Sequence, residues 1–287
     1  EVLMSLRPLF YFIKNYGFNF SIITTYDVDS LKGIMGNRNI TTASIAIKLP
    51  FLFYLIYQSK WVYKVLLSFV AFLSYLPLFL INSRAALLSF GVTIMIIISA
   101  ILIFHRKKYI SLLLVLVSLI FSFLFSNALI PDQSLNTSER LSSINFSNES
   151  SSQRFFLWEN ALDYILQHPL IGCGIGNWKV ESAAYWNSFG SSYLVPYHAH
   201  NDFLEFSTEL GIIGGLTYLV LFLLITFNFI FYYFKTKHFK FVILFISFSA
   251  LFIDSLLNFP FERPLIQVMF ILLLSLNIHY ANQNHSN

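Results

Sequence analysis

The sequence predicts an all-α fold: a polytopic membrane helix bundle that carries one large polar segment. Composition is the first reason. Of 287 residues, 56% are hydrophobic, 18% aromatic and only 11% charged, with a mean hydropathy of +0.67, which is far too apolar for a soluble domain of this size. Length is the second. Crossing a hydrocarbon core as a helix takes ~20 mostly apolar residues, and seven stretches qualify, at about 41–58, 62–81, 85–104, 109–126, 211–234, 239–257 and 264–280. The third is continuity, since these runs do not alternate as the strands of a membrane barrel would.

Orientation follows from the short loops, where Lys and Arg mark the cytoplasmic side. Lys60 and Lys64, then Arg106, Lys107 and Lys108, then Lys235, Lys237 and Lys240 fall in alternate connections, so these three are expected in the cytoplasm. The expected division is an outward-facing connection over 1–40, four transmembrane helices over 41–126, an outward loop over 127–210, three transmembrane helices over 211–280 and a cytoplasmic tail over 281–287. A net charge of +4 is accounted for by the topogenic loops and calls for no nucleic-acid partner. Cys173 stands alone and supports neither a disulfide framework nor a Cys-based metal site. The chain opens on Glu1 rather than Met, with no secretory leader before the first span, and further helices are expected upstream.

Within 1–40, Phe and Tyr mix with Asp27, Asp29, Lys32 and Arg38, too few consecutive apolar residues for a span but enough for a short interfacial helix. Gly36-Asn37-Arg38-Asn39 reads as a turn into the first span, with Asn39 or Thr41 as its cap. Lys48 lies inside that span, where it must face the bundle or a watery cavity, or else snorkel to the interface. Ala85, Ala86, Ser89 and Gly91 give the third span a small-residue face suited to close packing. Arg84, at the head of that span, can reach a phosphate at headgroup level or simply anchor the helix end.

The stretch from Asn127 to Gln153 is rich in Ser and Asn and reads as a flexible loop. Its Asn-x-Ser/Thr triplets at Asn136, Asn145 and Asn148 matter only where glycosylation machinery exists. From Arg154 to His168, Trp158, Leu162, Ile165 and Leu166 recur at helical spacing, which predicts an amphipathic helix at the outer membrane surface with Arg154 and Trp158 on one face. Pro169 stops it, and Gly172, Gly174 and Gly176 allow a tight turn. That Gly-rich run follows a helix and a proline rather than a strand, so it is not a dinucleotide loop.

Chemistry is concentrated in His198 to Gly215, where His198, His200, Asp202, Glu205 and Glu209 run directly into a span opened by Gly211, Gly214 and Gly215. Such polar density beside lipid is costly without a purpose. His198, His200 and Asp202 have the residue types of a zinc site, although on a helix residues two apart diverge. Asp254 and Asn258 lie one helical turn apart and either close this site or form a hydrogen-bond network between helices.

Together these features resemble the O-antigen ligase and O-antigen polymerase superfamily of bacterial surface-polysaccharide glycosyltransferases. The resemblance rests on His200-Asn201, nine residues, Gly211, two residues, Gly214. It is supported by Ser83-Arg84-Ala85-Ala86, by the Arg154 to Trp158 helix and by His168-Pro169-Leu170-Ile171-Gly172-Cys173-Gly174, and spans about 36–280. It implies transfer of a glycan from undecaprenyl diphosphate to an acceptor glycan or lipid A core, in the inner membrane with the active site in a large, partly helical periplasmic loop, without metal or other cofactor. It also implies donor diphosphate binding by Arg84 and Arg154 and a catalytic base in His200. The candidates to orient that imidazole are Glu205 or Asp202, with His198 as a further neighbour, and the sequence does not choose between them. A guanidinium fork suits phosphate oxygens where negative charge develops, and an imidazole can accept a hydroxyl proton near neutral pH. The competing class is a polysaccharide transporter or lipid-linked oligosaccharide flippase using Arg84, Lys48 and Asp254. It would show internal repeats, whereas the polar residues here gather in one outward loop.

Overall fold

The computed structural model describes residues 1–16, 30–81, 83–129, 149–188 and 197–285. The asparagines of the three Asn-x-Ser/Thr triplets and most of the Ser/Asn-rich stretch lie outside the described residues, as do Asp27, Asp29 and Asn82. Among the described residues the fold is all-α, 87% helical with no strand, and seven helices are long and apolar enough to cross a membrane. The chain divides into two compact units, Glu1–Ile144 with Phe229–Leu251, and Asn145–Asn228 with Phe252–Asn287.

The first unit begins with α1 (Val2–Tyr16), the short helix allowed for in the opening segment. It continues with α2 (Arg38–Gln58), α3 (Trp61–Ile81), α4 (Arg84–Phe104) and α5 (Tyr109–Leu129). Helix α3 packs along α2 and α5, and Leu6, Leu31, Leu76, Leu80, Ile81 and Leu129 form a buried cluster. Burial of Leu129 explains why α5 runs past residue 126 into the stretch read as loop. The cap of α2 is neither Asn39 nor Thr41 but Asn37, whose side chain accepts from the amides of Asn39 and Ile40. Its extended backbone leaves the side chain free to reach back over the first turn. Lys48 donates to Ser44 Oγ at 2.8 Å and to the Glu1 carboxylate, so it is paired inside the unit. In α4 the small face holds for Ala85, Ala86 and Ser89, all buried. Gly91 is not part of it: a Cβ there would meet nothing within 4 Å.

In the second unit, α6 (Glu149–Gln167) starts five residues before Arg154. It is followed by α7 (Asp202–Thr236), then α8 (Phe239–Leu257) and α9 (Pro264–His285), the latter two joined by a turn over 258–263. Residues Phe229–Leu251 of α7 and α8 belong to the first unit. The apolar face of α6 divides. Ala161, Tyr164 and Ile165 are buried, while Leu162 and Leu166 stay exposed. Ala161 and Tyr164 pack with Trp178 and Ala199, with Cys173, Tyr185 and Leu204 against them, so the loop has a small core of its own between α6 and the His motif.

Helix α7 is two helices. Gly211 has φ 74° and ψ 177°, a conformation open only to glycine. The arm 202–210 folds back against the arm 212–236: a Cβ on Gly214 would fall 2.3 Å from Leu210 Cβ, and one on Gly215 would fall 1.8 Å from Ser207 Oγ. Further along, Phe206 and Tyr218 pack at 4.4 Å between ring centroids, and Phe203 and Phe222 at 5.6 Å. These pairs run antiparallel. The glycines therefore have a physical role, because they let two helical arms touch along their backbones.

Candidate functional site

The site is built where the first arm of α7 starts. Asn201 caps it, its Oδ1 accepting from Phe203 N at 3.0 Å and Leu204 N at 3.2 Å. The polar residue after His200 is thus a helix cap, and the motif spacing measures one arm from cap to hinge. The far end of the arm is closed by the Gly-rich turn. Cys173 N and Gly174 N donate to the carbonyls of Thr208 and Glu209 at 2.9 and 2.8 Å, and Ile212 N donates to Pro169 O at 2.9 Å. The Glu209 carboxylate accepts from the backbone of Gly176 and Trp178. At Gly172, φ 66°, a Cβ would lie 2.3 Å from Thr208 O. The two sequence motifs therefore form one object: the turn after Pro169 supplies the amides that the broken helix lacks at its hinge.

Ahead of the cap, residues 197–201 are not helical. The segment bends, with His200 left-handed at φ 52°, and this course brings His198 and His200 to the same aromatic ring while Ala199 is buried in the small core. This departs from the helical geometry considered for the metal reading. Both imidazoles meet Phe259 in the turn after α8. His198 stacks on its ring at 4.0 Å with 12° between planes, and His200 meets it edge-on at 4.9 Å and 80°. Arg263 places its guanidinium carbon 4.6 Å from the same ring centroid, a cation–π distance.

The carboxylates hold other partners than His200. Glu205 takes His198 Nδ1–H at 2.8 Å and Ala199 N at 2.9 Å. Asp202, almost wholly buried, accepts from Phe261 N at 3.2 Å and from Tyr218 O–H at 3.4 Å, which fastens the 258–263 turn to the arm. Asp254 accepts from the Asn258 amide, whose oxygen in turn accepts from Arg154 Nη2 at 3.5 Å. Asp254 and Asn258 are thus both a network and a support for Arg154. Among the described residues no group of three or more His, Cys, Asp and Glu has the arrangement to hold a metal ion.

His200 is left open. Its Nδ1 is buried without a hydrogen-bond partner among the described residues, and its backbone is left-handed at φ 52°, strain of the kind found at functional sites. Burial first, then the positive charges of Arg154, His198 and Arg263, push its pKa down to about 4. The ring is therefore neutral at neutral pH. Of the residues expected at the site, the second unit brings together His200, His198, Arg154, Glu205 and Asp202. Arg84 opens α4 in the first unit. Sequence reasoning missed Arg263 and Phe259; the available signal was the charged, aromatic turn Asn258-Phe-Pro-Phe-Glu-Arg-Pro between two apolar spans.

A broken helix capped by Asn201, a Gly-rich turn closing its hinge and an uncharged imidazole beside two guanidinium groups form one continuous design. A family model described as O-antigen ligase matches residues 69–219, from within α3 to just beyond the glycine hinge. A Rickettsia conorii protein named as a polysaccharide ligase is 30% identical over 76 residues, which make up 25% of this chain and 18% of that protein. The present chain thus matches a small part of that relative's length. With more than half of its residues under the family model and the motif folded as one unit, the chain belongs to the O-antigen ligase family.

Proposed function

We propose that this chain carries the catalytic part of a metal-independent, polyprenyl-diphosphate-dependent glycosyltransferase of the bacterial inner membrane. It transfers a glycan from undecaprenyl diphosphate to an acceptor hydroxyl on the periplasmic face, as a surface-polysaccharide polymerase or ligase. The observation that carries this reading is the neutral, open imidazole of His200 held among the cations of Arg154 and Arg263. Two guanidinium groups facing a base suit a reaction in which an anionic leaving group departs as a hydroxyl loses its proton.

In this reading His200 accepts the acceptor's hydroxyl proton while that oxygen bonds to the anomeric carbon. The bond from that carbon to the diphosphate oxygen breaks, and the lipid diphosphate leaves with the electron pair. Arg154 and Arg84 bind the diphosphate, and Arg263 adds a third guanidinium. An imidazole with a pKa of about 4 is unprotonated but a weak base. A bound diphosphate offsets the arginine charges and returns His200 towards its ordinary range. Glu205 acts through His198, and Asp202 through the 258–263 turn.

The deciding experiment is a lipid-linked saccharide profile of cells with and without the gene. Single repeat units accumulating on the carrier indicate a polymerase, and finished polymer on the carrier indicates a ligase. An unchanged profile defeats the reading. The compartment is tested separately: a cysteine at Ser143, with Cys173 replaced, should react with a membrane-impermeant thiol reagent in intact spheroplasts. Labelling only after permeabilisation would invert the topology. Turnover in purified membranes should survive a chelator; loss that zinc or manganese restores would transfer the chemistry to a metal.

A further inference from the structure

The outer face of α6 and the turn after it present an apolar surface that the small core does not use. At 100° per residue, Phe155, Leu162 and Leu166 fall within about 40° of one another on α6, and all three are exposed. Beside them on the wheel come Glu159 and Asp163, also exposed, while Ala161, Tyr164 and Ile165 occupy the buried arc. The helix thus has three arcs, packed, apolar and charged, which is the pattern of a helix lying in an interface. From Leu166 near the end of α6, 75% exposed, the apolar arc continues into the turn, where Leu170, Ile171 and Ile175 are 73%, 82% and 76% exposed. Residues 169–176 carry no charge.

What covers this ridge is indicated by what it joins. Pro169 O receives Ile212 N, and Leu170 O would lie 2.4 Å from a Cβ on Gly211. The turn is therefore fastened to the head of the membrane-spanning arm 212–236, whose Ile212, Ile213 and Leu216 are themselves exposed. At 1.5 Å per residue this arm is about 37 Å long, against a hydrocarbon core of about 30 Å. Its head, and the turn bound to it, reach the edge of the hydrocarbon. A contiguous apolar surface of this extent on an otherwise polar segment marks a contact, and its continuity with the lipid-facing head of the arm selects acyl chains as the partner.

We propose that Leu162, Leu166, Leu170, Ile171 and Ile175 are embedded in the bilayer leaflet on the side of His200, and that this wedge fixes the depth of the Gly211 hinge and of the His motif. The inference does not depend on the transfer reaction. It corrects the membrane-facing set expected from periodicity, because Ile165 turns inward. The test uses the full chain with Cys173→Ser, reconstituted at low protein-to-lipid ratio into phosphatidylcholine and phosphatidylglycerol vesicles. Single cysteines at Leu166, Ile171, Ile175 and, as the aqueous control, Asp163 carry an environment-sensitive fluorophore. Probes at the first three positions should be quenched by lipids with a nitroxide high on the acyl chain and at least about threefold less by iodide than the probe at Asp163. Iodide quenching equal to that at Asp163 would overturn the proposal. Protection from iodide without lipid quenching, increasing with protein density, would overturn it in favour of a second copy of the chain. Monodisperse elution of each variant before reconstitution separates misfolding from either result.

Discussion

His105 and His200 are both imidazoles with a buried nitrogen that has no hydrogen-bond partner among the described residues, one in each unit. Their surroundings differ. His105 has its other nitrogen 3.2 Å from the Tyr57 hydroxyl and stands edge-on to Phe239, and burial alone holds its pKa below the ordinary value. The cations nearby in that unit are engaged elsewhere: Lys64 donates to Ser111 Oγ at 2.6 Å and to the Tyr57 carbonyl at 3.2 Å. At His200, burial is joined by the charges of Arg154, His198 and Arg263, and Arg263 Nε is itself buried without a partner among the described residues. An unpartnered imidazole is therefore not enough to mark a site. The charges beside it, not the missing partner, separate the surroundings of His200 from those of His105.

The most damaging test of that contrast removes each imidazole in turn. His200→Ala should lower transfer by about 10² to 10⁴, the range of a lost general base, while binding of a fluorescent undecaprenyl-diphosphate oligosaccharide stays within about twofold. His105→Ala should leave transfer within about threefold, as expected of a packing residue. Near wild-type turnover by His200→Ala membranes at equal protein level would end the assignment.

Smaller losses are expected from the arginines. Arg84→Lys, Arg154→Lys and Arg263→Lys keep a charge but lose the planar fork. Each should cost roughly ten- to a hundredfold in kcat/KM, less than the 10² to 10³ of removing a donor altogether. Arg84 opens α4 and lies in the other unit. A normal rate for Arg84→Lys alone would therefore confine the diphosphate to the second unit. His198→Ala should be milder still, below about tenfold, because His198 is held by Glu205 and by stacking on Phe259 and acts through position.

Much of the fold was legible because membrane helices announce themselves by length and continuous hydrophobicity, which need no knowledge of partners. The hinge was legible only in part. Gly211, Gly214 and Gly215 opened the span in sequence, but the arm folding back from them depends on contacts between Gly215 and Ser207 and between Gly172 and Thr208 O. No local pattern encodes these. The division of α6 was not legible for a similar reason: Ile165 and Leu166 are equally apolar, yet only Ile165 is buried, and which of the two turns inward depends on where the rest of the chain packs. His198 and His200 sharing Phe259 needed the knowledge that 197–201 is a bent, non-helical segment with His200 left-handed.

The subtlest test concerns protons. In the free protein His200 titrates at about 4, so the acid limb of kcat/KM, which reports free enzyme, should lie near pH 4. With donor bound, the diphosphate offsets the arginine charges but not the burial, which is the larger cause, so the acid limb of kcat should move up from near pH 4 while staying below the ordinary histidine value of about 6.5. Stability carries the same sign. The unfolded chain protonates His200 near pH 6.5 and the folded chain resists until about 4, so the unfolded state binds more protons between these values and stability falls as pH is lowered through that window. The full gap corresponds to about 3 kcal/mol, measurable as a loss of Tm in detergent between pH 6.5 and 4 that His200→Ala reduces and His105→Ala reduces less. Saturating donor lipid should narrow the loss in wild-type protein and leave His200→Ala unmoved. Coincident acid limbs for kcat and kcat/KM would mean that no anion seats beside His200, and the contrast with His105 would then be one of burial alone.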